Sequence, residues 1–181
     1  MKTKTYGRSI AAFIIQIIVY LIVAVPFKVM SVIPGFTDIR PVMLLVPVYA
    51  VFFGTQGCAS LAVGNLIMDI VSGSLHWSCL PGFIANFLGP FIIYWYWTRI
   101  SKTEFSLRNG KNLLKHAALI VFMAFVQTLI ITPAVALYAG VDVCLFATTV
   151  MLNTSLFPIG LGIPLTILMQ EELGFKACGR R

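Results

Sequence analysis

Long apolar runs recur along this chain, too many and too extended for a water-soluble fold to bury. Six of them, near 9–29, 40–54, 57–73, 79–99, 115–138 and 144–169, read as helices able to cross ~30 Å of hydrocarbon, for which roughly 17–25 residues suffice. Of the 181 residues, 59% are hydrophobic and 10% charged, where a soluble domain carries about 25% charged. No polar linker or second compositional regime divides the chain, so a single domain is expected. The second and third runs are short and meet at Gly54-Thr55-Gln56-Gly57, so they form either a tight helical hairpin or one broken unit. The run from Ser9 to Pro26 follows Lys2, Lys4 and Arg8, as a signal peptide's apolar region would. It is too long for one and lacks a small-residue cleavage site, so it is expected to remain as the first helix.

The cations test this count independently, because Lys and Arg in short loops collect on the cytoplasmic side of a membrane. With the amino terminus inside, Lys2, Lys4, Arg8, Arg99, Lys102, Arg108, Lys111, Lys115, Lys176, Arg180 and Arg181 all face the cytoplasm, eleven of the thirteen Lys and Arg. Only Lys28 and Arg40 face outward. The expected fold is therefore all-α, a polytopic six-transmembrane-helix bundle in the cell membrane with both termini cytoplasmic. The net charge of +7 follows from this topology and from attraction to anionic membrane lipid, so it does not call for nucleic acid as a partner. The basic strap from Arg99 to Lys115 is explained in the same way. Tyr94, Trp95, Tyr96 and Trp97 lie just before Arg99, where aromatic rings anchor a helix at the interface. Trp77 either does the same at the outer surface or lines a pocket there.

Polar side chains inside apolar helices are costly, and each is a functional candidate. Asn65 and Asp69 are spaced i, i+4 and share one helix face. Asn86, Gln127 and Asn153 add amides that either line a site or bond neighbouring helices. The loop Ile33-Pro34-Gly35-Phe36-Thr37-Asp38-Ile39-Arg40-Pro41 is dense in turn residues and reads as a lid. Arg40 beside Pro41 either presents its fork to an anionic group or pairs locally with Asp38. His76 stands beside Trp77 in a short outer loop and either contacts a ligand or is solvated. Pro158, Gly160, Gly162 and Pro164 are expected to kink the last helix. Cys58, Cys79, Cys144 and Cys178 form no metal or redox motif, and a Cys79–Cys144 bridge stays open. No nucleophile motif, phosphate loop or zinc motif occurs, so an enzyme is not expected and no cofactor is implied.

From Ile33 to Trp97 the chain resembles the substrate-binding membrane subunits (S components) of energy-coupling factor transporters. The matching elements are the outer loop ending in Arg40-Pro41, the helix finishing in Phe53-Gly54, the Gly-Asn-x-x-x-Asp string at Gly64, Asn65 and Asp69, and Gly-Phe-Ile-x-Asn from Gly82 to Asn86. The resemblance covers about a third of the chain, with size and helix count covering the rest. It implies a six-helix protein that binds a vitamin-like small molecule from outside. Its partners would be a transmembrane coupling subunit and two cytoplasmic ATPases. The Ala-x-x-x-Ala surface by which many such subunits meet the coupling subunit is only approximated, by Gly7-x-x-x-Ala11 and Ala12. A second resemblance is to MreD, the membrane scaffold subunit of the bacterial rod-shape system. On the transporter reading the substrate-binding set is Asp38, Arg40, Asn65, Asp69, His76, Trp77, Asn86 and Asn153. Arg40 would orient an anionic group, and Trp77 would stack on a ring.

Overall fold

The computed structural model describes residues 2–28, 30–33, 37–101 and 103–178. Lys102, Arg180 and Arg181 of the expected cytoplasmic set, and residues 34–36 of the expected lid, lie outside them. The described chain is dominated by helices: α1 (Lys2–Ala24), α2 (Leu45–Val71), α3 (Cys79–Trp95), α4 (Gly110–Ala139), α5 (Val143–Phe157) and α6 (Ile163–Glu171). Among the described residues, five helical stretches are long and apolar enough to cross a membrane: Ser9–Phe27, Pro41–Val71, Cys79–Ile100, Gly110–Ala139 and Val143–Glu171. The fold is all-helical as expected, apart from one small ribbon at the start of the expected lid: β1 (Ser31–Ile33) and β2 (Thr37–Asp38) pair antiparallel, Ser31 opposite Asp38 and Ile33 opposite Thr37.

Helix boundaries follow local chemistry. Past Ala24, a short 3-10 turn, Val25–Phe27, carries Pro26. Asn109 starts α4 earlier than the apolar pattern predicts, because its side-chain oxygen accepts the Lys111 backbone N–H at 3.0 Å. Asp142 caps α5 through the Leu145 N–H at 2.7 Å. Pro158 cannot donate a backbone hydrogen bond, and the chain passes from α5 to α6 through a π turn, Pro158–Gly162. This is the expected site of irregularity in the last helix, and the helical stretch continues through it from Val143 to Glu171.

The stretch Pro41–Val71 decides the architecture. If straight, its 31 residues would extend about 46 Å at 1.5 Å per residue, yet an Arg40 guanidinium nitrogen lies 3.2 Å from Asn65 Oδ1. The stretch doubles back at Gly54, whose φ of 59° and ψ of −136° lie in a region closed to side-chain-bearing residues. The two arms then meet so closely at Gly57 that a Cβ there would fall on the Tyr49 carbonyl and lie 3.0 Å from the Tyr49 Cβ. Of the two alternatives for Gly54–Gly57, the tight helical hairpin is realised. Its first arm is enveloped: every residue from Leu45 to Phe52 is buried, and these residues supply much of the main core. Tyr49 Oη donates to the Gln16 carbonyl at 2.9 Å and Ser60 Oγ donates to Gln16 Oε1 at 2.8 Å, so α1 is fastened to both arms. The outward side of α1 exposes Ile10, Ile14, Ile15, Ile18 and Ile22, a face suited to lipid.

Contacts sort into two ends. At one, Gln56 donates to the Ser9 carbonyl at 2.6 Å, Arg108 pairs with Glu171 at 2.6 Å, and the Cys178 N–H donates to the Val51 carbonyl at 2.7 Å. Lys28, Arg40, Asp69, His76 and Tyr138 gather at the other. The basic strap belongs to the first end and is folded down, with Leu107 and Ser101 buried. Trp97 corrects the interfacial-anchor expectation. It is buried, and its indole N–H donates to His116 Nδ1 at 3.0 Å, beside Phe105.

Candidate functional site

The turn structure ahead of α2 positions the first two site residues. The Ile39 N–H donates to the Met30 carbonyl at 3.0 Å, bringing the Lys28 segment beside Asp38. Arg40 Nε donates to Asp38 Oδ1 at 2.7 Å, and Lys28 Nζ lies 3.2 Å from the other oxygen, Asp38 Oδ2. The local Asp38–Arg40 pair therefore exists, but it is the edge of a larger network. Arg40 Nη1 donates to Asn65 Oδ1 at 3.2 Å, which also accepts the Tyr20 hydroxyl at 3.1 Å. The other end of the Asn65 amide donates to Asp69 Oδ2 at 3.0 Å. Asp69 Oδ1 stands 4.0 Å from Lys28 Nζ, which closes the ring of charges. The i, i+4 placement of Asn65 and Asp69 on one helix face is thus used as the sequence predicts.

Asn153 reaches this ring from α5. Its Oδ1 accepts the Arg40 backbone N–H at 3.0 Å, and its Nδ2 donates to the Asp38 carbonyl at 2.8 Å. One buried amide thereby satisfies two backbone groups of a loop more than a hundred residues away in sequence. The arrangement holds the carboxylate and the guanidinium in place through their own main chain.

Beside this network lies a cavity of about 310 Å³. Its polar lining includes Lys28, Asp38, Arg40, Asn65, Asp69, Ser72, Ser74 and His76. Its apolar lining includes Ile131, Val135, Phe146 and Val150. This pairing of a few convergent polar groups with apolar side chains is the usual build of a small-molecule site. Seven of the eight expected residues line it: Asp38, Arg40, Asn65, Asp69, His76, Asn86 and Asn153. Asn86 is the least committed of the amides to its neighbours, since its Nδ2 donates within α3 to the Gly82 carbonyl at 2.9 Å. His76 Nδ1 lies 3.4 Å from the Tyr138 hydroxyl, which joins the loop before α3 to the end of α4.

Trp77 departs from expectation. Its side chain is 84% exposed and is not among the residues lining the cavity. Arg40 departs in part, since its fork is turned onto Asp38 and Asn65. Gln127 belongs to packing, donating to the Ala85 carbonyl at 2.9 Å. Cys79 and Cys144 are free thiols, and Cys79 Sγ instead donates to the Ser74 carbonyl at 3.4 Å. Sequence reasoning missed Lys28 and Tyr20. The signal for Lys28 was present: it is one of the two cations that the expected topology leaves on the outer side. Tyr20 offered none, because an isolated tyrosine in an apolar helix matches ordinary packing.

Among the described residues, no group of three or more His, Cys, Asp or Glu could hold a metal ion. No family model, no curated protein and no solved structure matches this chain.

Proposed function

We propose that this protein is a substrate-capture membrane subunit of the energy-coupling factor type, binding a vitamin-like small molecule from the outer face of the cell membrane. The single observation that carries the reading is the cavity lined by both polar and apolar side chains, its polar lining built from residues of four separate segments. In this reading the two arms of α2 are the second and third of six crossings. The alternation of contacts between the two ends supports that count, with Ser9 and Cys178 both at the end that holds the basic strap. The strap end faces the cytoplasm, in keeping with the cation distribution. The chain binds and does not catalyse. A transmembrane coupling subunit and two cytoplasmic ATPases would supply the movement and the hydrolysis.

The test is purification of the full chain in mild detergent, followed by mass spectrometry of small molecules released on denaturation. A vitamin-like compound that is lost from Arg40→Ala is the expected result. An empty protein that co-purifies with cell-shape proteins would replace this reading with the MreD-like scaffold.

A further inference from the structure

Four formal charges line the cavity, Lys28 and Arg40 against Asp38 and Asp69, and they sum to zero. Asp142, at the start of α5, is spent on its helix cap and does not line it. Residues 34–36, Pro-Gly-Phe, carry no ionisable side chain. Each charge is already answered: Asp38 by Arg40 at 2.7 Å and Lys28 at 3.2 Å, and Asp69 by Asn65 at 3.0 Å and Lys28 at 4.0 Å. With the Asp38 and Asp69 side chains only 10% and 11% exposed, an added unpaired charge beside them is disfavoured. An anion seeking the Arg40 Nε–H competes with Asp38, which already holds it at 2.7 Å. A cation seeking Asp69 shares that carboxylate with Lys28.

Lys28 is the least firmly held member. Its contacts are the longest of the ion pairs here, and its ammonium rides on a flexible four-carbon stem. A polar edge offering one donor and one acceptor can enter between Lys28 and Asp69 without changing the total charge. The apolar remainder would then rest on Phe146, Val150, Val135 and Ile131. At about 310 Å³ the space is at the small end of the 300–1,000 Å³ usual for ligand clefts.

Resting on the capture reading, the geometry points to a ligand without net charge, a small neutral or zwitterionic molecule with one polar and one apolar edge, and to Lys28 as the residue that sets this selectivity. The experiment releases bound small molecules from the purified full chain and runs them by capillary electrophoresis at neutral pH with mass detection. The wild-type protein should yield a compound without net mobility. Lys28→Met should yield at least about tenfold less of it, the effect of losing one hydrogen bond to a charged group, and Lys28→Arg should restore it. A charged compound from the wild type overturns the neutrality while leaving capture standing. Undiminished recovery from Lys28→Met overturns the role of Lys28. No compound from any variant overturns the capture reading itself.

Discussion

Gly57→Ala tests the hairpin on which the whole arrangement depends. The added methyl would fall on the Tyr49 carbonyl, lie 2.8 Å from its carbon and 3.0 Å from the Tyr49 Cβ. All three atoms belong to the facing arm, and two of them are backbone, so no rotamer change relieves the contact. The arms must part. Overpacking of this kind costs about 1–3 kcal/mol, and at about 2–4 °C per kcal/mol for a chain of this size the melting temperature should fall by roughly 2–12 °C. The measurement is a thermal series in detergent read by fluorescence-detected size exclusion. Gly160→Ala is the control: a Cβ there meets nothing within 4 Å and the position is exposed. Its replacement should leave the melt unchanged or raise it slightly, since alanine favours helix over glycine by up to ~1 kcal/mol. If Gly57→Ala melts with the parent while Gly160→Ala behaves as stated, the two arms are not packed backbone to side chain, and the reversal at Gly54 is wrong.

Asn153→Ala should free the loop before α2, because it leaves the Arg40 N–H and the Asp38 carbonyl without their partner, at about 1–3 kcal/mol for each unsatisfied group; faster tryptic cleavage after Lys28 would report it, and unchanged resistance would contradict the clamp. Trp77→Ala should leave retention of the bound compound unaltered, since the ring is exposed and outside the cavity; loss of the compound would return Trp77 to the site. Trp97→Phe removes the donor to His116 Nδ1 inside the core and should lower the melting temperature by several degrees, for a cost of about 1–3 kcal/mol. Tags fused to the two termini should resist labelling from outside intact cells, and labelling of either would reverse the assigned orientation.

Much of the site was legible because its chemistry is local in sequence. Asp38 and Arg40 are two residues apart, and Asn65 and Asp69 are one helical turn apart, so spacing alone places each pair. What spacing does not give is how the pairs meet. Tyr20, Lys28 and Asn153 join them across separations that only the completed packing defines. The glycines around position 54 announced a break, and its sense, a full reversal, followed from an unusual backbone angle that residue type permits without dictating. Trp97 misled for a related reason. Its neighbours are interfacial by composition, but the π turn Tyr96–Ile100 turns that one ring inward toward His116. Trp77 misled because an aromatic residue beside a polar loop fits a ligand wall and a solvent-facing loop equally well.

The buried arm from Pro41 to Phe53 bears on how the protein is made. Thirteen residues are short for a span that stands alone, and none of them is exposed. A ribosome delivering it residue by residue would find no resting place for it in the bilayer until the return arm to Val71 followed. The two are best inserted as a unit, with α1 already waiting to receive Tyr49 and Ser60. Slowing translation just after Phe53 should therefore harm assembly more than the same pause placed after Val71.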